Sequence, residues 1–182
     1  MAFELERARG IAAAYTAAWN TGEPAAVASF YALDGTIIIN AGDPWQGREG
    51  VAAMAAGFFA DIPNLTLTCD GVRLSGDHVI YLWTFTGTHA VTGNALTVAG
   101  WEEWDLNFAG LVKLSRGWFD AEDYARQIGP VPRTGSQSRI FPGNPCGPRR
   151  LRHHSGTDRP TVATGTLHGG RLSFALSGAG SH

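Results

Sequence analysis

The chain has 182 residues and a mass of 19.3 kDa, enough for one domain with an extension and too little for two ordinary domains. Apolar residues make up 44% of the sequence, so a hydrophobic core can form and global disorder is excluded. No apolar run approaches the ~18 residues that span a bilayer, and the charged N-terminal segment is unlike a secretory signal. We therefore expect a cytoplasmic protein without membrane contact.

The formal net charge of −2 conceals a division of the chain into two parts. Residues 1–130 carry a net charge of −8 and all the tryptophans and tyrosines, whereas residues 131–182 carry +6. An acidic body argues against a nucleic-acid partner, because binding of phosphate groups needs clustered cations. We predict a folded domain over 1–130 and an irregular or disordered tail, rich in Gly, Pro and Arg, over 131–182.

The basic tail leaves three interpretations open. Its charge centres on Arg149, Arg150 and Arg152, followed by His153 and His154. It is a solvated extension, an arm for RNA or another anionic surface, or a chain that continues past its natural stop. The sequence does not distinguish them.

Helices are predicted first along the body. Ile11, Tyr15 and Ala18 recur at helical spacing within a helix over 3–20, and Pro24 opens a short second helix. The β-branched run 36–39 indicates a buried strand. A third helix follows a loop, and its apolar face includes Phe58.

After residue 63 the hydrophobic period changes to two. Strands are predicted over 65–69, 78–90, 95–108 and 109–120, separated by turn signals at hairpin distances, and a short helix is predicted over 121–128. Helices followed by hairpin-linked strands indicate an α+β fold, with the helices packed on one face of a curved antiparallel sheet. The order is not the βαβ alternation of dinucleotide-binding folds, and no glycine-rich phosphate loop is present.

Alternation along the strands predicts which side chains share the interior. One strand face is an aromatic stripe through Trp83 that ends at His89, and the next carries Glu102 as its single carboxylate, two residues before Trp104. We expect these faces and that of the last strand to line one concavity. The expected polar residues of this concavity are Tyr15, His89, Glu102, Arg116 and Asp120. The expected substrate-binding residues are Trp45, Phe58, Trp83, Trp104, Arg116 and Trp118.

Such a concavity suits proton transfer. A carboxyl in apolar surroundings has a raised pKa, and histidine titrates near neutrality unaided. Acid–base work on a carbon acid, an enol or an epoxide is the chemistry that this set predicts, on a small and largely apolar ligand. The two cysteines stand at no metal-ligand spacing, so we expect neither a metal nor another cofactor.

Each polar residue also has a purely structural interpretation. His89 could cap a strand end, Asp120 could be the N-cap of the final helix, and Tyr15 could be a core residue with a satisfied hydroxyl. Glu102 and Arg116 could form an ion pair between adjacent strands. Trp45, in the loop before the third helix, is either a lid over the cavity or a surface packing residue.

The assembled pattern resembles the nuclear transport factor 2-like superfamily and, within it, the SnoaL-like polyketide cyclases. The matching stretches are AYTAAWNTGEPAAVASFYALDGT, DPWQGREGVAAM, TGTHAVTG, GWEEWDLNFAGLV and GWFDAEDYARQIG, which together cover about residues 10–129. The resemblance implies a cone-shaped α+β barrel, in which a highly curved sheet wraps around a pocket closed by helices. It also implies a homodimer formed through the sheet.

What the resemblance implies about activity centres on a carboxylate. SnoaL-like cyclases close rings by intramolecular aldol chemistry without a cofactor, and the matching positions are Asp120 in GWFDA and His89 in TGTH. The predicted function is a cofactor-independent cyclase, isomerase or hydratase acting on a small carbonyl or polyketide-like substrate, with Tyr15 and Glu102 donating hydrogen bonds to a developing enolate. The alternative is a ligand-binding or dimerisation module of the same fold without chemistry.

Two related activities fit the sequence less well. Tyr15 and Glu102 stand where ketosteroid isomerases keep an oxyanion-hole tyrosine and a protonated acid, but the general-base position falls on Ile39 or Asn40, neither of which can take the proton. Limonene-epoxide-hydrolase-like enzymes place Arg and Asp alternately on one strand, and WEEWDL contains no such pair. Neither activity is therefore expected.

Overall fold

The structure is a computed structural model that describes residues 4–129. The predicted tail, including Arg149 and its neighbours, lies outside the described residues. The helices are α1 (Leu5–Trp19), α2 (Pro24–Ala28), α3 (Gly47–Asp61) and α4 (Ala121–Ile128). The strands are β1 (Tyr31–Ile39), β2 (Trp45–Gln46), β3 (Thr66–Ser75), β4 (His78–Thr88), β5 (Ala95–Leu106) and β6 (Val112–Phe119).

The six strands form one curved sheet in the order β2-β1-β6-β5-β4-β3. Strands β3 to β6 pair in sequence by antiparallel hairpins, whereas β1 pairs with β6 in parallel. Within residues 4–129 the two edge strands, β2 and β3, do not pair with each other, so the sheet stays unclosed. The predicted α+β fold is confirmed, with one parallel pairing that the sequence did not indicate.

Strand β1 is longer than the predicted strand, because it begins at Tyr31 rather than at Thr36. Tyr31 pairs with Val112, and the pairing shifts register before it resumes at Thr36. Gly35 lies in this irregular stretch, where an added Cβ would stand 2.6 Å from the carbonyl oxygen of Val112. Only glycine permits so close an approach of the two backbones.

Strand β6 contains an extra residue near its start. Val112 pairs with Leu106, while Leu114 pairs with Asp105, so Lys113 has no partner of its own on β5. Side chains alternate across a sheet, and one inserted residue therefore moves every following side chain to the other face.

The predicted inner face of β6 is consequently wrong. Ser115 is fully buried, whereas Arg116 and Trp118 lie on the opposite face of the sheet from Glu102. Asp120 follows the end of β6 and is exposed. The expected convergence of the last strand's polar residues on Glu102 does not occur, because the alternation from Val112 onward assumed a regular strand.

The core lies between the concave face of the sheet and the helices α1 and α3. Its centre is aromatic, with Tyr15 edge-on to Trp104 at a centroid distance of 5.1 Å and Tyr81 stacked on Trp104 at 4.8 Å. Aromatic pairs in these geometries add to the free energy that burial provides. Among residues 4–129, no helix has the length and hydrophobicity needed to cross a membrane.

Candidate active site

A pocket opens between the helices and the concave face of the sheet. Its empty volume is about 480 Å³, including space that is open to solvent. The wall takes apolar side chains from α1, α3 and four strands, among them Trp19, Ile37, Met54, Phe58, Leu67 and Phe85. In the described part of the chain, Glu102 is the single ionisable residue of this wall.

Glu102 is a buried carboxyl surrounded by hydrogen-bond donors. It is 6% exposed, and its Oε2 accepts hydrogen bonds from the indole N–H of Trp104 at 2.8 Å and from the hydroxyl of Ser115 at 2.9 Å. No ion pair found among residues 4–129 involves it. Burial raises the pKa of Glu102, and this effect outweighs the hydrogen bonds from Trp104, Ser115 and the tyrosines, which lower it.

The two oxygens of Glu102 have different surroundings. Oε2 has two short donors, whereas Oε1 has none: the hydroxyl of Tyr15 lies 3.4 Å from both oxygens, longer than an ordinary O–H···O bond. Because Oε2 has its acceptor positions taken, the proton of the neutral acid is favoured on Oε1.

The register of the sheet explains this arrangement. Glu102 and Trp104 are two residues apart on β5, so both face the helices, and Ser115 pairs with Trp104 across β6. Gly117 pairs with Glu102, and a Cβ there would stand 3.6 Å from Cγ of Glu102. The glycine thus leaves space above the carboxyl, where the pocket lies.

Two tyrosines extend the polar cluster behind the carboxyl. Tyr15 and Tyr31 are fully buried, and their hydroxyl oxygens lie 3.4 Å apart. Burial raises the pKa of Tyr15 well above its usual value, and the nearby Glu102 raises it further. The hydroxyl of Tyr15 therefore stays protonated, and it can donate a hydrogen bond to Glu102 or accept one from the neutral acid.

Several predicted site residues meet at this pocket. Trp83 and Phe58 belong to its wall with Glu102. Trp104 and Tyr15 lie behind that wall and contact the carboxyl. The suggestion that Tyr15 is a core residue is also correct, since it is 0% exposed.

Other predicted site residues lie elsewhere. His89 follows β4, with Nδ1 2.9 Å from the hydroxyl of Thr92, as the strand-end interpretation expects. Asp120 is the N-cap of α4, and its carboxylate accepts a hydrogen bond from the backbone N–H of Asp123 at 2.9 Å. Trp45 begins β2, half-buried and packed against the core outside the pocket wall.

Arg116 does not pair with Glu102, so the predicted ion pair between them is wrong. The inserted residue in β6 directs Arg116 to the outer face, where its guanidinium lies 3.7 Å from the carboxylate of Asp105. Trp118 shares that outer face and pairs in register with Trp101.

Sequence reasoning missed Ser115 and Tyr31, which complete the polar cluster. A regular alternation through Arg116 and Trp118 leaves Ser115 on the opposite face from the predicted site. Tyr31 follows α2 and begins β1, before the β-branched run that predicts the strand. The one available signal was the small-residue alternation of Ser115 and Gly117, which leaves room for a large group from the neighbouring strand. Among the described residues, no group of three or more His, Cys, Asp or Glu could hold a metal ion.

Comparison with protein families gives a match that covers more than half of the chain. The model of the SnoaL-like domain aligns with residues 12–113, which include α3, strands β1 to β5 and Glu102. The chain belongs to the SnoaL-like domain family. No curated protein sequence matches it.

Solved structures share the fold of this SnoaL-like domain. A Catenulispora acidiphila protein of ketosteroid isomerase-like fold, in complex with trimethylamine, has a TM-score of 0.61 at 24% identity, over 65% of this chain and 91% of that one. A Jannaschia sp. CCS1 protein assigned to the SnoaL-like polyketide cyclases has a TM-score of 0.54 at 20% identity, over 60% of this chain and 85% of that one. The epoxide hydrolase/cyclase-like enzyme SalBIII has a role in pyran ring formation in the polyether salinomycin. It has a TM-score of 0.59 at 15% identity, over 65% of this chain and 94% of that one.

Proposed function

We propose that this SnoaL-like domain binds a small, largely apolar organic molecule and that Glu102, in its protonated form, donates to an oxygen of that molecule. The observation that carries the proposal is a buried carboxyl in an apolar pocket wall, held by donors and by no cation among residues 4–129. Such surroundings keep a carboxyl neutral and able to donate, as in other enzymes that use a buried acid.

The reaction that fits one acid is an addition to a carbonyl or an epoxide. Glu102 gives its proton to the electrophilic oxygen and regains one from the hydroxyl that attacks, so that a ring closes or water adds without a cofactor. An enzyme of the same fold, SalBIII, has a role in pyran ring formation, which supports this class. Isomerisation of a carbon acid is less well supported, because it needs a general base. Asn40 accepts a hydrogen bond from the backbone N–H of Phe119 and cannot take a proton, and Ile39 is apolar.

The roles expected for Asp120 and His89 do not enter this proposal. Asp120 is exposed and its carboxylate caps α4, while His89 bonds within its own turn. Neither belongs to the pocket wall with Glu102. Glu102 therefore takes the acid role that the sequence assigned to Asp120.

The experiment is a pair of substitutions assayed on a panel of hydroxy-ketones and hydroxy-epoxides of small size. Glu102→Gln keeps a donor and the hydrogen bonds to Trp104 and Ser115 but has no transferable proton, so ligand affinity should persist while kcat falls at least about 100-fold. Glu103→Gln, the neighbour on the outer face, should have wild-type kcat. Unchanged turnover in Glu102→Gln would exclude the acid role.

A ligand-binding module without chemistry is the second candidate. The described pocket wall contains a single titratable group, whereas most acid–base enzymes use a pair of titratable groups, and this favours a module without chemistry. The same panel distinguishes the candidates: a module binds panel members and leaves them unchanged, whereas the enzyme converts at least one.

We propose further that the domain forms a homodimer through the outer face of its sheet, as the family resemblance implies. Leu82, Trp101 and Trp118 pair in register across three strands and form an apolar stripe there. Arg116 and Asp105 stand beside the stripe, so the face carries both signs of charge and can pair with a rotated copy of itself.

A further inference from the structure

The pocket wall contains two hydrogen-bond donors that have no partner. The indole Nε1 atoms of Trp19 and Trp83 are buried and make no hydrogen bond within residues 4–129. Trp19 lies on α1 and Trp83 on β4, yet both side chains belong to the same pocket wall. A buried donor without an acceptor is costly and uncommon in native proteins, so each such group requires an explanation.

Polar groups of aromatic residues behind the wall are satisfied, in contrast. The indole N–H of Trp104 donates to Glu102 at 2.8 Å, and the hydroxyl of Tyr81 lies 2.6 Å from that of Thr16. The fold therefore supplies partners to buried aromatic donors where the protein alone surrounds them. The two exceptions both belong to side chains that line the pocket.

Trp83 is the stronger of the two cases. The indole N–H of Trp19 lies near the hydroxyl of Tyr15, close enough to oppose slightly the rise that burial causes in the pKa of Tyr15. Trp83 stacks on Phe85 and has no comparable polar neighbour among the described contacts.

The register places the Trp83 side chain beside the acid. Trp83 pairs with Gly100 on β5, and Glu102 is two residues further along the same face. Diagonal neighbours of this kind lie about 7 Å apart at their Cα atoms. One small molecule can therefore reach both groups with oxygens that are a few bonds apart.

The side chains of the wall offer donors and no free acceptor. Oε2 of Glu102 is occupied by two donors, and its Oε1 carries the proton in the neutral acid. No Lys, Arg or His belongs to the described wall, so an anionic ligand would lose its hydration without a compensating charge. The ligand that fits is neutral and rich in acceptors.

We infer that the natural ligand carries at least two neutral oxygen acceptors, one for Glu102 and one for the indole N–H of Trp83, and no hydroxyl directed at Trp83. A diketone, keto-lactone or keto-ether has this character, whereas a hydrocarbon, a simple alcohol or a carboxylate does not. Trp83 is thus a specificity-determining residue. The inference rests on the proposed function, because it assumes that the pocket binds a small organic molecule.

The test uses cyclohexane-1,4-dione, cyclohexanone and cyclohexanecarboxylate as probes of similar size. The full chain is labelled so that NMR detects its six indole N–H groups and the terminal methyl group of Met54, which reports occupancy of the pocket. We expect the dione to bind about fivefold to tenfold more tightly than cyclohexanone, as one added hydrogen bond implies. The Trp83 indole proton should shift downfield with the dione.

Two variants distinguish the contribution of the Trp83 indole N–H from that of an aromatic ring at this position. Trp83→Phe should remove the preference for the dione over cyclohexanone, whereas Trp101→Phe on the outer face should keep it. Equal affinity for dione and cyclohexanone, tighter binding of the carboxylate, or a shift of Met54 without a shift of the Trp83 indole would each overturn the inference and leave the proposed pocket standing. No Met54 shift with any probe would contradict both.

Discussion

Glu102 and its neighbour Glu103 have identical side chains in different surroundings, because successive residues of a strand face opposite sides of the sheet. Glu103 faces outward, with a carboxylate oxygen 4.0 Å from the imidazole of His78, and is about one-third exposed. Glu102 faces inward to an apolar pocket and to uncharged donors. Solvent and a basic neighbour are available to Glu103 and not to Glu102, and burial accordingly raises the pKa of Glu102.

The raised pKa of Glu102 predicts a pH dependence of stability. The folded chain keeps a proton that the unfolded chain releases near pH 4.5, so the free energy of unfolding should fall as pH rises above that value. The slope is at most about 1.4 kcal/mol per pH unit and ends where Glu102 ionises in the folded protein. Urea unfolding at a series of pH values measures it.

The control for this dependence is a neutral side chain of the same shape. Glu102→Gln should lack the part of the slope that Glu102 causes. At the high-pH end of the series this variant should be more stable than wild type, because its folded state contains no carboxyl whose ionisation burial opposes. Glu103→Gln should keep the wild-type slope. Parallel curves for wild type and Glu102→Gln would show that Glu102 is ionised in the folded chain.

Asp120 is expected to matter for stability and not for ligand affinity. Its carboxylate caps α4, and Asp120→Ala should lower the free energy of unfolding by about 1 kcal/mol, whereas Asp120→Asn should retain most of it because Asn is also a good N-cap. Chemical denaturation and probe titration measure the two effects. Loss of turnover in a well-folded Asp120→Asn would return Asp120 to the mechanism.

At the scale of elements, hydrophobic periodicity predicted the regular helices and strands but not the inserted residue that interrupts β6. The helices, the hairpin order and the inward face of Glu102 follow from periods of 3.6 and two, and the structure contains them. The face of β6 could not be predicted, because the inserted Lys113 leaves a sequence that alternates plausibly in either register. The parallel pairing of β1 with β6 is tertiary and has no local signal.

Gly100 on β5 offers a test of how tightly the pocket wall is packed. A Cβ there would stand 2.4 Å from the carbonyl oxygen of Trp118 and 2.5 Å from the ring of Trp83. Gly100→Ala should therefore destabilise the domain by about 2 kcal/mol or more and displace the Trp83 ring. Gly10→Ala is the matched change, since Gly10 is exposed in α1 with nothing near its Cβ position.

The helical substitution should act in the opposite direction. Alanine is favoured over glycine within a helix by about 1 kcal/mol, so Gly10→Ala should raise the melting temperature while Gly100→Ala lowers it. A Gly100→Ala variant as stable as wild type would mean that the backbones of β5 and β6 are not as close as the structure has them.

At the scale of the whole molecule, the proposed homodimer can be tested at the outer face of the sheet. Trp101 is 41% exposed at the centre of the apolar stripe, and Trp101→Glu should convert a dimer into a monomer. Val91→Glu is the control, because Val91 is a similarly exposed apolar residue in the β4–β5 turn. Sedimentation over a concentration range measures the outcome, and a wild-type chain that sediments as a monomer throughout would exclude the homodimer.

The pairing of β1 with β6 has a consequence for synthesis of the chain. The 72 residues from 40 to 111 separate the two strands, so β1 leaves the ribosome long before its partner exists. Until then, Ile37 and Ile39 lack their partners on β6, and only the two-residue strand β2 can pair with β1. The pocket that they line cannot form, because Gly117 and Phe119 of β6 also belong to its wall. During synthesis the β-branched segment of β1 therefore stays without its main partner strand, and unpaired segments of this kind are prone to aggregate.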